Sequence, residues 1–257
     1  MAGRSIRTVT VKDVTLGAGV PKIVVPLTGA GPEQLAAQAA ALRGHACDVV
    51  EWRADFFTRL GDVDAVVDQA RSLGEQLAGT PVLFTVRTRP EGGEAEIDDE
   101  AYGRLNAAVI DAGAADLVDV EYRRSPAVVD RVLAAAHAAG VAVVVSSHDF
   151  DATPSRGEIV ARLQAMQEVG ADICKVAVMP HSAADVLTLL DATRTMHEEF
   201  ADRPVITVSM GPLGAITRVA GQIFGSAATF GTVGAASAPG QLDADDLRTV
   251  LRVLDRG

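Results

Sequence analysis

The sequence predicts a (β/α)8 TIM barrel preceded by a short β-hairpin. Three observations carry that prediction. Short β-branched runs alternate with longer stretches rich in Ala, Leu, Glu and Arg, and from Lys22 onward the alternation repeats eight times. Several of the longer stretches open on Pro, Ser or Asp and several close on Gly, as helix caps do. No GxGxxG follows the first strand, where a doubly wound open sheet would place its dinucleotide fingerprint.

The elements follow in order. TVTVKDVTLG reads as the hairpin. Strands are expected at KIVVPL (22–27), DVVEWR (48–53), VLFTVR (82–87), DLVDVEY (116–122), VAVVVSSH (141–148), DICKVAV (172–178), PVITVSM (204–210) and SAATFGTV (226–233). Their length and their Val, Ile and aromatic content suit buried parallel strands. Helices are expected at PEQLAAQAAALRG, VDAVVDQARSLGEQL, DDEAYGRLNAAVIDAG, PAVVDRVLAAAHAAG, SRGEIVARLQAMQEVG, SAADVLTLLDATRTMHEEF, AITRVAGQIFG and DADDLRTVLRVLDRG. The chain has 257 residues, 48% of them hydrophobic, and no linker or low-complexity tract. One catalytic domain over residues 1–257 is therefore expected.

Charge narrows the partners. A formal net charge of −11 disfavours nucleic acid and anionic membrane. No apolar run approaches the roughly 20 residues of a membrane span. MAGRSIRTVTVKDVTLG lacks the apolar core of a secretory signal, so a cytoplasmic location is expected. Cys47 and Cys174 lie far apart with no ligand spacing, so neither a disulfide nor a metal site is expected. A small anionic substrate would need a local cluster of arginines.

In a barrel of this kind, reacting groups collect at the C-terminal ends of the strands. Alternation puts residues i and i+2 on one face. Glu51, Arg53 and Asp55 should therefore face the barrel mouth while Trp52 faces the helices; a purely structural Glu51–Arg53 ion pair is the plainer alternative. Arg87 ends the third strand, and Glu91 precedes Gly92-Gly93 in what reads as a mobile loop. Asp119 and Glu121 share a face and could hold a cation, a lysine or a histidine. His148 ends a run of valines at the mouth, whereas His45, His137, His181 and His197 fall at surface positions. Arg218, Ser237 and Gln241 lie after the last two strands and could cradle an anion.

Lys175 poses the sharpest question. The chain contains three lysines, Lys12, Lys22 and Lys175, against twenty arginines. Lys175 sits in an apolar strand, where an ammonium is unfavourable unless paired or used. It could neutralise Asp119 or Glu121, but arginine would make that pair better through its planar fork. Arginine cannot lose a proton and attack a carbonyl. Lysine at this position therefore favours a Schiff base, with the amine's pKa lowered by burial and nearby cations.

These motifs together resemble one family. EWRADFF, the RT–EGGE segment, SSHDF with TP after it, DICKVAVMP, SMGPLGAITRVAGQIFGSAATFG and SAPGQL occur in order, and the chain is similar from about Lys22 to its last helix to type I 3-dehydroquinate dehydratases. The resemblance implies dehydration of 3-dehydroquinate in the shikimate route of aromatic amino acid biosynthesis. It implies Lys175 as the Schiff-base nucleophile, His148 as general base and then acid, and Glu91 as the residue that orients His148. It also implies Glu51, Arg53 and Arg87 as ligands of the ring hydroxyls, and Arg218, Ser237 and Gln241 as ligands of the carboxylate. Met210 and Phe230 would pack on the ring. Thr217 stands where the family often has serine and keeps the hydroxyl. No metal or other cofactor is implied, and a homodimer is. Two other readings compete: a class I Schiff-base aldolase, and a non-catalytic barrel that senses dehydroquinate. The HDF and SAPGQ segments argue against the aldolase; the presence of both Lys175 and His148 argues against the sensor.

Overall fold

The computed structural model describes residues 6–77, 79–234 and 240–255. It opens with the expected antiparallel hairpin, β1 (Val9–Val11) and β2 (Val14–Leu16). The two-residue turn between them needs left-handed backbone, and Lys12 supplies it with φ of +50°.

All eight barrel strands form: β3 (Lys22–Leu27), β4 (Val49–Arg53), β5 (Val82–Thr85), β6 (Leu117–Glu121), β7 (Ala142–Asp149), β8 (Ile173–Val178), β9 (Val205–Ser209) and β10 (Ala228–Thr232). Neighbours pair in parallel from β10 through β3 to β9. The circle closes at a thinner seam. There Val205 bridges Ser226, and the Ala227 N–H donates to the Val205 carbonyl at 2.8 Å.

Three departures from the expected elements have a local reason. β5 stops at Thr85 rather than at Arg87, because the Arg87 N–H turns to the Asp55 carboxylate (3.4 Å) and its carbonyl accepts from Ala95 (3.2 Å). The stretch expected as one helix over 215–225 splits into α7 (Ala215–Val219) and α8 (Gly221–Phe224). Gly221 weakens the helix at the break, and its carbonyl accepts from Ser226 at 2.9 Å. A further two-residue strand, β11 (Leu242–Asp243), pairs with β10 and is too short to show a period. The other helices, α1 (Pro32–Ala41), α2 (Val63–Gln76), α3 (Asp99–Asp111), α4 (Pro126–Ala139), α5 (Arg156–Glu168), α6 (Ala183–Thr195) and α9 (Ala244–Leu254), fall where expected, α6 ending in a π-helical turn over Met196–Phe200. Their caps are those the sequence suggested: Ser155–Glu158 and Ser182–Asp185 capping boxes, Asp62, Asp98 and Asp243 at N-caps, and Pro32 and Pro126 in the first turns.

Strand alternation then divides the core in two. Val50, Trp52, Phe84, Val118, Val120, Cys174 and Val176 point outward and pack on Leu35, Leu73, Val109 and Leu163 of the helices. Val24, Val49, Leu83, Leu117, Val144, Ile173 and Ile206 point inward, joined by Val9 and Leu16 of the hairpin. Each such side chain contributes about 1.5–3 kcal/mol on burial. The hairpin closes the N-terminal end of the barrel: Lys12 Nζ reaches the Thr80 carbonyl (3.2 Å) and Asp116 (2.8 Å), which precede β5 and β6. The opposite end is left open for polar side chains. Among the described residues, no helix is long and apolar enough to cross a membrane.

Candidate active site

The open end of the barrel is a cleft of about 540 Å³, counting the space at its mouth. Glu51, Arg53, Arg87, Glu91, His148, Lys175, Met210, Arg218, Phe230 and Gln241 all line it. The strand and loop positions chosen from sequence thus converge on one pocket. Ser237 lies outside the described residues. The other four histidines are at the surface or in exposed ion pairs, as expected.

Lys175 enters the pocket from the middle of β8, where a rigid strand fixes its stem. It is 5% exposed. Its Nζ lies 4.3 Å from the centre of the Phe230 ring and 3.9 Å from Glu51 Oε1. The same Glu51 oxygen accepts from Thr85 Oγ1 at 3.0 Å. Glu51 therefore offers Lys175 a loose contact rather than a tight pair. Burial lowers the Lys175 pKa; Glu51 and Asp119 oppose that, and Arg87 and Arg53 add to it. The free amine is favoured relative to an exposed lysine.

His148 lies near the end of β7. Its Nδ1 is 3.0 Å from Glu91 Oε2, and the same oxygen accepts the His148 backbone N–H at 3.1 Å. Glu91 thus holds both the ring and the strand that carries it. With Nδ1 engaged, Nε2 is the nitrogen available for proton transfer. Burial holds the His148 pKa well below 6.5, and Arg87 and Lys175 add to the effect. Glu91 moves the other way, pushed up to about 7 by burial against the pull of Arg87. Its second oxygen is buried with no hydrogen-bond partner among the described residues. A charged imidazolium–carboxylate pair would shift both groups in the opposite directions. Desolvation therefore outweighs the pairing here and favours the neutral imidazole.

Two charge pairings differ from the alternatives left open by the sequence. Glu51 and Arg53 do not pair. Arg53 instead grips Asp55 with its Nε (2.8 Å) and Nη2 (2.7 Å). Asp55 sits past the strand, in a 3-10 turn over Ala54–Phe56, so strand alternation does not describe it. Asp119 and Glu121 do not form a salt bridge with Lys175. Their cation is Arg87, which reaches Asp119 at 2.7 Å, Glu121 at 3.1 Å and Ser146 at 3.0 Å. Burial works against the Arg87 charge, but Asp119, Glu121 and Glu91 outweigh it and raise the pKa above the ordinary value. The planar fork explains the division of labour: arginine can satisfy several acids at once.

The Glu91 loop also differs from expectation. Gly92 and Gly93 do not mark a loose segment. The Arg89–Glu91 stretch is a 3-10 turn, with Gly93 N–H donating to the Thr88 carbonyl at 2.9 Å and Arg89 N–H to the Ala95 carbonyl at 2.9 Å. Both glycines serve close approach. A Cβ on Gly92 would run into the Phe150 ring, and one on Gly93 into the Arg87 backbone. Gly92 also has φ of +77°, which glycine adopts freely.

The far wall is apolar on one side and cationic on the other. Ala177, Val208, Met210 and Phe230 form the apolar part. Arg218, on α7, is 2% exposed and donates to the Phe230 carbonyl at 3.2 Å. Burial alone pulls its pKa down to about 10, so the guanidinium stays charged at neutral pH, poorly solvated and suited to an anion. Sequence reasoning did not single out Thr85, Ser146, Phe150, Ala177 or Val208 as site residues. Alternation places Thr85 and Ser146 inward with Arg87 and His148, which is the signal that would have found them. Among the described residues, no group of three His, Cys, Asp or Glu side chains is arranged to hold a metal ion.

Comparison with known proteins identifies the family. The model of the family described as type I 3-dehydroquinase matches residues 23–257. A 3-dehydroquinate dehydratase of Syntrophotalea carbinolica is 51% identical over 96% of this chain and 98% of its own length. One from Shigella sonnei is 50% identical over 97% of this chain and 99% of its own. The solved type I 3-dehydroquinate dehydratase of Clostridium difficile, crystallised with covalent modified comenic acid, superposes with a TM-score of 0.95 at 43% identity, covering 98% of this chain and 99% of that one. With both the sequence and the fold matched over nearly their whole length, the chain belongs to the type I 3-dehydroquinase family.

Proposed function

We propose that this protein dehydrates 3-dehydroquinate to 3-dehydroshikimate, a step of the shikimate route to aromatic amino acids, through a Schiff base on Lys175. The observation that carries the reading is one pocket holding a buried lysine and a buried histidine braced by a glutamate.

Lys175 Nζ adds to the ring ketone, and loss of water leaves an iminium. The iminium acidifies the neighbouring C–H, because the electron pair left behind delocalises as an enamine. His148 Nε2 takes that proton. The imidazolium then gives a proton to the departing C1 hydroxyl, which leaves as water. Hydrolysis of the product imine frees the enone and restores the lysine. One imidazole can serve both transfers because its ordinary pKa lies near neutrality. Glu91 keeps the ring oriented and its Nε2 free.

Binding follows the charges. Arg218 attracts the substrate carboxylate into an acidic protein, helped by Gln241 and Ser237. Glu51, Arg53 and Arg87 meet the ring hydroxyls, with Arg87 stiffened by its acids. Met210 and Phe230 cover the ring. The reaction uses no cofactor. We take the enzyme to act as a cytoplasmic homodimer: both cysteines are free thiols, and Leu187, Leu213, Ile216 and Ile223, each more than half exposed, offer apolar surface to a second copy.

Borohydride reduction in the presence of 3-dehydroquinate tests the covalent step. A permanent adduct is expected on the peptide carrying Lys175. An adduct on Lys12 or Lys22, or none, overturns the assignment.

A further inference from the structure

The sequence groups Asp55 with Glu51 and Arg53, but the resemblance gives it no role. Its carboxylate is completely buried, and its contacts are to Arg53 and to the segment around Glu91. Oδ1 accepts from Arg53 Nε at 2.8 Å and from the Arg87 backbone N–H at 3.4 Å. Oδ2 accepts from Arg53 Nη2 at 2.7 Å and from the Glu94 N–H at 3.1 Å. Arg87 and Glu94 flank the 3-10 turn that presents Glu91. One carboxylate therefore ties a pocket arginine to both ends of the segment that braces His148.

The chemistry fits no substitute. Two oxygens receive a forked guanidinium and two backbone amides at once. Asparagine would offer one oxygen and set an N–H against donors. Glutamate would keep the charge but overreach the amides by one methylene. A buried ion pair of this kind is a poor source of stability, since desolvation offsets most of its attraction. Its placement at the pocket lip, with Arg53 only 11% exposed in its side chain, matches a device for geometry.

We propose that Asp55 is a positioning residue that locks the arm holding substrate, Arg53, to the turn that aligns Glu91 and His148. The inference rests on the roles given above to Arg53 and Glu91. Loosening Asp55 therefore damages two kinetic constants by two routes. Arg53 loses its aim, which raises KM. The Glu91 turn drifts, which lowers kcat. A misplacement near 1 Å is worth about 100-fold in kcat/KM, so Asp55→Asn is expected to raise KM about tenfold and lower kcat about tenfold.

Four further variants separate the routes. Arg53→Ala should raise KM with little change in kcat, and Glu91→Gln should lower kcat. If neither does so, the roles of those residues fail and the inference falls with them. If both do, Asp55 is judged alone. In the Arg53→Ala background, Asp55→Asn should leave KM unchanged and retain its kcat loss. Asp55→Glu, the milder variant should Asp55→Asn fail to fold, should keep KM near that of the unaltered protein while kcat falls. A variant that loses only thermal stability overturns the proposal, as does a KM rise that persists in full without Arg53 or a normal kcat in Asp55→Glu.

Discussion

The two ends of the barrel use the same strands in opposite ways, and the three lysines show it. At the floor, Lys12 bonds Thr80 and Asp116 and Lys22 bonds the carbonyls of Ala18 and Val20, all close to water. At the mouth, Lys175 is buried, with only a loose acid at 3.9 Å. The floor beneath is filled by Val9, Leu16, Val49, Leu117 and Ile173, whose mutual packing asks for volume and nothing more. The mouth is filled by charges whose angles and distances matter. Inside the barrel, apolar packing therefore fills one end and the reactive groups the other, on the same strands.

The largest effect should come from Lys175→Ala: loss of turnover with 3-dehydroquinate by orders of magnitude and no borohydride adduct, with the fold retained. Residual turnover within tenfold of the unaltered protein would break the comparison at its root. His148→Ala should slow turnover about 100- to 10,000-fold while the Lys175 adduct still forms. Loss of the adduct as well would mean that the histidine binds rather than moves protons.

At the floor the signs reverse. Leu16→Ala should destabilise the protein by about 2–5 kcal/mol in denaturant titrations and leave kcat within about twofold. A matching fall in kcat would show that the ends are coupled after all. Lys12→Ala should matter least, below about 1 kcal/mol, since its ion pair with Asp116 is part exposed.

The pH profile sharpens the mouth itself. A histidine whose pKa is lowered below 6.5 stays neutral, and able to accept a proton, as the pH falls through 6.5. It is lost as a base only at the lower value. The acid limb that His148 contributes, the one missing from the profile of His148→Ala, should therefore lie below pH 6.5. A His148-dependent limb at or above that point would mean that Glu91 stabilises the imidazolium more than burial opposes it.

Much of this was legible in the sequence because the period of a strand is two. Once the eight strands are recognised, alternation alone sends Lys175, Glu51, Asp119 and Glu121 inward and Trp52 and Cys174 outward, and the structure agrees. What alternation cannot do is pass the end of a strand. Asp55 and Glu91 both lie in 3-10 turns, and there the reading weakened. The glycines at 92 and 93 showed a second limit. A glycine in a polar loop reads as freedom, yet each of these is required by a neighbour, Phe150 or the Arg87 backbone, that comes from elsewhere in the fold.

The sequence by itself determined the barrel, the face each strand presents, and a lysine where arginine would have served any merely structural purpose. Choice of partners was left to the tertiary structure. Arg87 takes Asp119 and Glu121, Arg53 takes Asp55, and Lys175 is left with the loose contact to Glu51. The physical reason is range. Facing a core is set by local backbone geometry over two residues. Pairing of buried charges is set by tenths of an ångström: Arg87 meets Asp119 and Glu121 only once their strands lie side by side, and Arg53 meets Asp55 only because the chain turns after its strand.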